Sequence, residues 1–448
     1  MSFLTYRAQE DTLVAHESED TVVTTIEDIP NNALTETDLK GPMDAHSVEK
    51  ISYSLYLNKQ WQQLSDYCER AIKMDFDYYY LRVRAGVAWF ELGKYRRAVV
   101  HFKKALEFNQ GDDFANSYLY YSYLYSERFE DAKWLTKSFS PALSTSLFAR
   151  APGPVDFVVA ESGIKVPDSS RQFKNALFSH IGINHSITKR LFLFHGFTYF
   201  AQNEQRFSVR QFQYYLKATS PLKNGFLLSA GFHVVNANAD VRNFVSSVKT
   251  NTYLVFPIGP PGMPPPPPQV LTVTTTAVAE QVKATRAQNY VGAITLTRRT
   301  RLADYSIGAT LGSFDTTKQV QLSAGINLYP FAHNKFSVGG TIYLHSEKDF
   351  KKKLLTLAPA VNIYLTNKIH LSVSYLYNEG PNISENTGSF VSNSVDYTPQ
   401  RITFTTSVDI ANGLWLYGTY TYEQKKHLAA GYKYDYNIFV VGIKVIPR

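Results

Sequence analysis

Between Lys318 and Leu344 the chain alternates apolar and polar residues with a period of two. Val320, Leu322, Ala324, Ile326 and Leu328 are separated by Gln321, Ser323, Gly325 and Asn327. After Tyr329 to Asn334 the pattern resumes, with Phe336, Val338, Ile342 and Leu344 against Ser337, Gly339, Thr341 and Tyr343. A period of two is a β-strand with one face unlike the other, so this stretch predicts two long strands joined by a short turn. The pattern recurs over most of the last 300 residues. Several interleaved positions are too small and polar to fill a sandwich core, and apolar outside with polar inside describes a barrel in a membrane.

No run approaches the roughly 18 consecutive apolar residues of a spanning helix, so a membrane crossing has to be made by a closed sheet. The 31 Tyr and 29 Phe suit aromatic girdles at two bilayer interfaces. The lone cysteine, Cys68, excludes an internal disulfide and reads as a buried helix residue. The net charge of +8 divides into two unlike halves, −5 over residues 1–150 and +13 over residues 151–448. The basic surplus falls in turns and loops (Lys189, Arg190, Arg298, Arg299, Arg301, Lys351, Lys352, Lys353, Lys425, Lys426) and not on one helix face. That favours lipid headgroups and lipopolysaccharide as neighbours and argues against nucleic acid.

In chain order, residues 1–47 read as a flexible acidic leader, in which Phe3, Leu4 and Tyr6 look like the tail of a secretory signal. Residues 48–140 are helical and self-similar at an offset of 34. Trp61, Tyr95 and Phe129 superpose, as do Leu64, Ala98 and Ala132, and Leu55, Trp89 and Tyr123. The central copy, Gly86, Trp89, Gly93, Tyr95, Ala98, Phe102 and Ala105, resembles a tetratricopeptide repeat, with small residues where two helices approach and aromatics between pairs. Stacked pairs of this kind present a concave groove for a protein segment, for which Tyr80, Arg84 and Tyr120 are the candidates, or act as a rigid spacer.

Residues 141–154 form a linker with Pro141, Pro152, Gly153 and Pro154, and residues 155–448 contain about 14 strands. Short turns at Asn184 to Arg190, Ser220 to Asn224, Arg298 to Arg301, Tyr329 to Asn334, Thr366 to Lys368 and Ala411 to Gly413 alternate with longer links. That is the asymmetry of an outer-membrane barrel with both ends in the periplasm. The longest link, 237–286, is expected to be an extracellular insertion. It holds a proline run to Pro268, followed by Val270 to Val278, which either extends the wall outward or folds back into the lumen as a gate.

The polar phase of the strands nominates a lumen wall of Gln211, Gln213, Tyr215, Ser229, Gln321, Ser323, Asn327, Tyr343, Asn362, Ser372, Ser374, Thr403, Thr405 and Asp409. Amides, hydroxyls and tyrosines outnumber charges, which suits hydroxyl-rich solutes; the competing reading is an interior closed by its own side chains. His180, His195, His233 and His345 lie on strands, but the sequence carries no Gly-x-Ser-x-Gly, no His-Glu-x-x-His and no phosphate-cradling loop. The expectation is therefore no enzyme, no metal and no cofactor.

Helical repeats followed directly by a barrel resemble the YaiO family of outer-membrane proteins, on Gly86, Trp89, Gly93, Tyr95, Ala98 and Ala105 and the final strand Tyr432, Tyr434, Tyr436, Ile438 and Val440. The same order of parts is similar to exopolysaccharide export porins, although the chain ends Ile446-Pro447-Arg448 without a terminal aromatic. The resemblance implies an outer-membrane location with periplasmic repeats. The expected function is passage of a polysaccharide or other hydroxyl-rich solute; the alternative is a plugged barrel anchoring repeats that bind a periplasmic protein.

Overall fold

A computed structural model describes residue 39 and residues 41–147, 154–168, 174–203, 207–255, 269–314, 317–347, 352–379, 383–391, 396–411, 413–426 and 431–447. The leader through residue 38 and the proline run lie outside the described residues. Among the described residues, seven helices precede the sheet: α1 Ala45–Leu57, α2 Trp61–Lys73, α3 Tyr79–Glu91, α4 Tyr95–Phe108, α5 Asp113–Tyr125, α6 Phe129–Leu135 and α7 Pro141–Leu147. The first helices of the three pairs begin at Ala45, Tyr79 and Asp113, and the second at Trp61, Tyr95 and Phe129, so the spacing of 34 is a spacing of structure. The turn inside each pair places one residue at positive φ, Lys59 (53°), Gly93 (70°) and Glu127 (58°), again 34 apart. Only the middle copy uses the glycine that this left-handed conformation favours.

Asp44 caps α1 by accepting from the Ser47 amide at 2.9 Å, and Asp112 caps α5 from the Ala115 amide at 2.5 Å. Leu55, Leu64, Cys68, Ala71, Leu81 and Ala85 form one buried helical cluster, and Trp89, Ala98, Phe102, Ala105, Leu119 and Tyr123 the next. Burial pushes the Cys68 thiol up to about 12, so it is an inert core residue.

The sheet is a closed antiparallel barrel of 14 strands. These are β1 Val155–Pro167, β2 Ala176–Thr188, β3 Leu191–Asn203, β4 Phe207–Pro221, β5 Phe226–Val255, β6 Gln269–Arg299, β7 Ala303–Phe314, β8 Thr317–Leu328, β9 Phe336–Glu347, β10 Lys352–Tyr364, β11 Ile369–Glu379, β14 Tyr397–Ala411, β15 Leu414–Lys426 and β16 Lys433–Val445. A hairpin of two-residue strands, β12 Ser384–Glu385 and β13 Phe390–Val391, interrupts the series. The ladder closes where β1 meets β16, from Val158↔Val445 to Pro167↔Tyr436. All six predicted short turns fall at one rim, the one that carries the helices, called here the near rim.

Large apolar residues cover the outside, among them Ile181, Phe197, Phe212, Ile307, Leu322, Leu344, Phe404 and Phe439. Water does not tolerate so continuous an apolar band on a folded monomer, whereas a bilayer requires one, and the barrel leaves no strand edge within it.

The described parts of segment 237–286 take the outward course. β5 and β6 stay paired from Phe226↔Arg298 to Val255↔Gln269, while β4 follows β5 only to Val241 and β7 meets β6 only from Tyr290. The fourteen residues beyond Val241 make a two-stranded ribbon that projects about 45 Å. The stretch Val270 to Val278 belongs to this ribbon and does not enter the lumen.

Candidate functional site: the lumen and its helical floor

The barrel interior holds a cavity of about 2480 Å³. Ten of the fourteen residues nominated from the polar phase line it: Gln211, Gln213, Tyr215, Asn327, Tyr343, Asn362, Ser372, Ser374, Thr403 and Thr405. The other four share the inward phase but are taken up by neighbours. Ser229 lies 3.3 Å from the Thr219 hydroxyl, Ser323 packs beside Gly308, and Asp409 is buried near the short β10–β11 turn. Gln321, 2% exposed, both accepts from the Ser384 amide (3.1 Å) and donates to its carbonyl.

That last pair marks an element the sequence did not announce. The hairpin from Ser384 to Val391 comes off the far rim and folds into the barrel. Tyr215 Oη donates to the Thr387 carbonyl (3.0 Å), His233 Nδ1 meets the Gly388 carbonyl (2.8 Å), Thr387 Oγ1 bonds to Thr295 (3.0 Å), and Glu385 pairs with Arg401. Gly231 has no side chain because the Thr387 carbonyl occupies the space a Cβ would fill. Among the described residues, the segment that narrows the lumen is therefore this hairpin and not the stretch Val270 to Val278.

The near mouth carries a floor made of helices. Tyr120 and Leu124 of α5, Glu127 and Arg128 of the following turn, Phe129 of α6 and Leu147 of α7 all line the cavity. The floor is fastened at several points round the rim. Arg96 donates to the Thr300 carbonyl (2.8 Å) and the Arg301 carbonyl (3.3 Å), pairs with Asp304, and lies 3.8 Å over the Tyr329 ring. Arg299 binds Glu130 (3.0 Å) and Asp131 (3.3 Å), Lys133 binds Asp156 (2.7 Å), and Arg190 stacks on Trp134. Burial raises the Asp131 carboxyl, but Arg128 and Arg299 more than offset it and hold it below its ordinary value. Glu127 accepts from Tyr364 Oη at 2.6 Å. Burial outweighs that bond and the nearby Lys444 and Arg96, pushing the Glu127 carboxyl up to about 7.

Two of the three groove candidates meet, the Arg84 guanidinium lying 5.9 Å from the centre of the Tyr80 ring. Tyr80 is 62% exposed, whereas Arg84 is buried, held by Ser52 at 2.9 Å and Glu49 at 2.5 Å beneath the Tyr53 ring. Tyr120 faces the barrel cavity instead. Tyr120 stands 34 residues after Gly86 and packs on Phe139.

Of the strand histidines, His180 and His233 line the lumen, His345 is buried against Glu347 at 3.0 Å, and His195 stacks on His185 at 5.1 Å. The polar-phase reading missed Phe178, Phe194, Phe200 and Glu161, all of which line the cavity. Phenylalanines in an alternating strand read as lipid-facing; the available signal was that β3 is aromatic in both phases, with Phe192, Phe194 and Phe200 in one and Phe197 and Tyr199 in the other. Among the described residues there is no cluster of metal-ligating side chains.

Fold and lumen together define a membrane-spanning β-barrel with an interior that the described residues leave unfilled and a helical floor. No protein-family model matches the sequence, and no curated protein matches it. Similar solved structures include the CymD monoaromatic hydrocarbon channel, at 10% identity and TM-score 0.43, covering 69% of this chain and 91% of that one. A FadL homologue of Pseudomonas aeruginosa matches at 8% identity and TM-score 0.40, covering 65% and 89%. A bacterial polysaccharide outer membrane secretin matches at 8% and 0.34, covering 65% and 98%. Likeness at TM-scores under 0.5 carries no argument about function.

Proposed function

We propose that this chain is a bacterial outer-membrane channel that passes a hydroxyl-rich solute, with polysaccharide as the leading class, and that its helical pairs sit in the periplasm beneath the barrel. It is not an enzyme in this reading and needs no cofactor. The supporting observation is the unfilled lumen, with Asn327, Asn362, Ser372, Ser374, Thr403 and Thr405 turned into it. Uncharged donors and acceptors in a wet cavity exchange water for solute hydroxyls at little cost. The short turns at the near rim support this orientation, since such turns belong on the periplasmic side of such barrels.

The test is single-channel conductance in planar bilayers, on the full chain and on a form with Ser384 to Val391 replaced by a short glycine-serine link. The intact protein is expected to conduct weakly and the replaced form strongly, with maltohexaose interrupting the current. A replaced form that folds but passes no current ends the channel reading. In that case the helices as a docking platform become the better account, supported by the exposed Tyr80, and a photo-crosslinker there should capture one periplasmic protein.

A further inference from the structure

Three aromatic rings lie flat on one sector of the inner wall because the neighbouring strand offers each of them a glycine. A Cβ built on Gly163 would stand 2.5 Å from Phe178, and one on Gly182 would stand 2.5 Å from Phe194. The Tyr417 ring covers Gly442 in the same way. A ring laid on a glycine turns one face to the backbone and the other to the lumen. These strands are neighbours in the barrel, in the order β15, β16, β1, β2, β3.

A polar row crosses the same sector between Phe178 and Phe194. Strand pairing places Tyr417, Gly442, Glu161, His180, Thr198 and Gln213 side by side. Tyr417 Oη donates to Glu161 at 2.7 Å, and His180 Nδ1 lies 2.8 Å from Thr198 Oγ1 while its ring lies nearly parallel beside that of Phe194, the centroids 6.4 Å apart. Glu161, His180, Thr198 and Gln213 all line the cavity. Gln213 is held by Gln211 and His233, each at 3.2 Å, which leaves its second amide hydrogen, with the open positions of the other three, for an occupant.

We propose that this wall of β15, β16 and β1 to β4 is a saccharide-binding site, in which Phe178, Phe194 and Tyr417 stack sugar rings and Glu161, His180, Thr198 and Gln213 bind their hydroxyls. A pyranose has an apolar C–H face and a polar edge, matching flat rings on either side of a row of hydrogen-bonding groups. A hydrocarbon satisfies the rings alone and strips water from Glu161 and the row without replacing its hydrogen bonds, which is unfavourable. The inference rests on the passage reading and adds where the solute is held and by which of its faces.

The test uses the full chain in detergent micelles, with maltohexaose as probe and calorimetric titration as readout, so that binding is measured apart from conductance. Phe178→Leu and Phe194→Leu keep an apolar side chain but remove the flat face, and each should weaken binding roughly tenfold. Phe197→Leu, on the lipid-facing side of the same strand as Phe194, is the folding-matched control and should leave binding unchanged. Heat-modifiable migration on gels confirms that each variant is a folded barrel. Binding that survives both lumen substitutions as it survives Phe197→Leu overturns the site while leaving passage intact. Toluene binding in place of maltohexaose also overturns it, by assigning the wall to apolar rings. Saccharide binding that responds to Phe178→Leu and Phe194→Leu in a barrel that never conducts upholds the site and removes only the passage.

Discussion

At Gly86 the second helical pair closes so tightly that an added Cβ would lie 2.8 Å from the Phe102 ring, which is fully buried. Gly86→Ala gains roughly 1 kcal/mol of helix propensity, but overpacking costs about 1–3 kcal/mol, and Phe102 has nowhere to move. The expected outcome is a net loss of about 1 kcal/mol in the melting of the helical signal; a more stable variant would show that the pair has slack. On the barrel, Leu322 sits in the middle of β8, 52% exposed on the outer face. Leu322→Arg should cost about 2–4 kcal/mol in liposome folding, and Ser374→Arg, on the lumen wall, much less. Equal costs would refute the assignment of the two faces. Leu322 and Ser374 were legible because alternation is a one-dimensional signal that strand geometry converts directly into faces. Phe178 and Phe194 were not: they stand in the same phase as His180 and Thr198, but an apolar ring in an alternating strand reads as lipid-facing. What lets each ring lie on the inner wall is a glycine on the next strand, and strand pairing is not written locally.

Among elements, the helix starts and the turn residues Lys59, Gly93 and Glu127 were legible through one number, the offset of 34. The rim clamp was not, because Arg96 lies 208 residues from Asp304 in the chain and only the docked arrangement joins them. Removing one member of a buried pair leaves the other charge without its partner, so Arg96→Ala should weaken the seating of the floor by about 3 kcal/mol. The turn Arg298 to Arg301 lies under that seat. Trypsin should therefore cut there much faster in the variant than in the parent, and unchanged protection would mean that the floor is held without Arg96. The lumen hairpin was equally hidden. Ser384 to Val391 reads as an ordinary loop, and its inward course depends on Gly231, Tyr215, His233 and Gln321, each on a strand distant in sequence.

For the whole molecule, the question is what lets a solute past a floor fastened round the rim, and Glu127 is a titratable group of the floor that meets the barrel there. It occupies the left-handed turn position that Gly93 fills in the preceding pair, at a backbone conformation unfavourable for a side chain, and it puts that side chain against Tyr364. Its carboxyl titrates near 7 when seated, against 4.5 when free in water. The seated state therefore binds the proton more tightly. Below about pH 4.5 both states are protonated and seating carries no penalty from this group. Between there and pH 7 the released floor ionises while the seated one does not, so seating weakens as pH rises, by on the order of 2–3 kcal/mol in all, and then levels off. Glu127→Gln keeps the shape, holds the group neutral and should seat the floor equally well at about pH 5 and about pH 8. Trp134, stacked on Arg190 at the rim, reports seating by its fluorescence. The parent should show a rise in the released signal across this range together with a rise in conductance, and the Gln variant neither. A parent whose Trp134 signal is flat with pH, or a variant as responsive as the parent, would remove Glu127 as the coupling between floor and lumen.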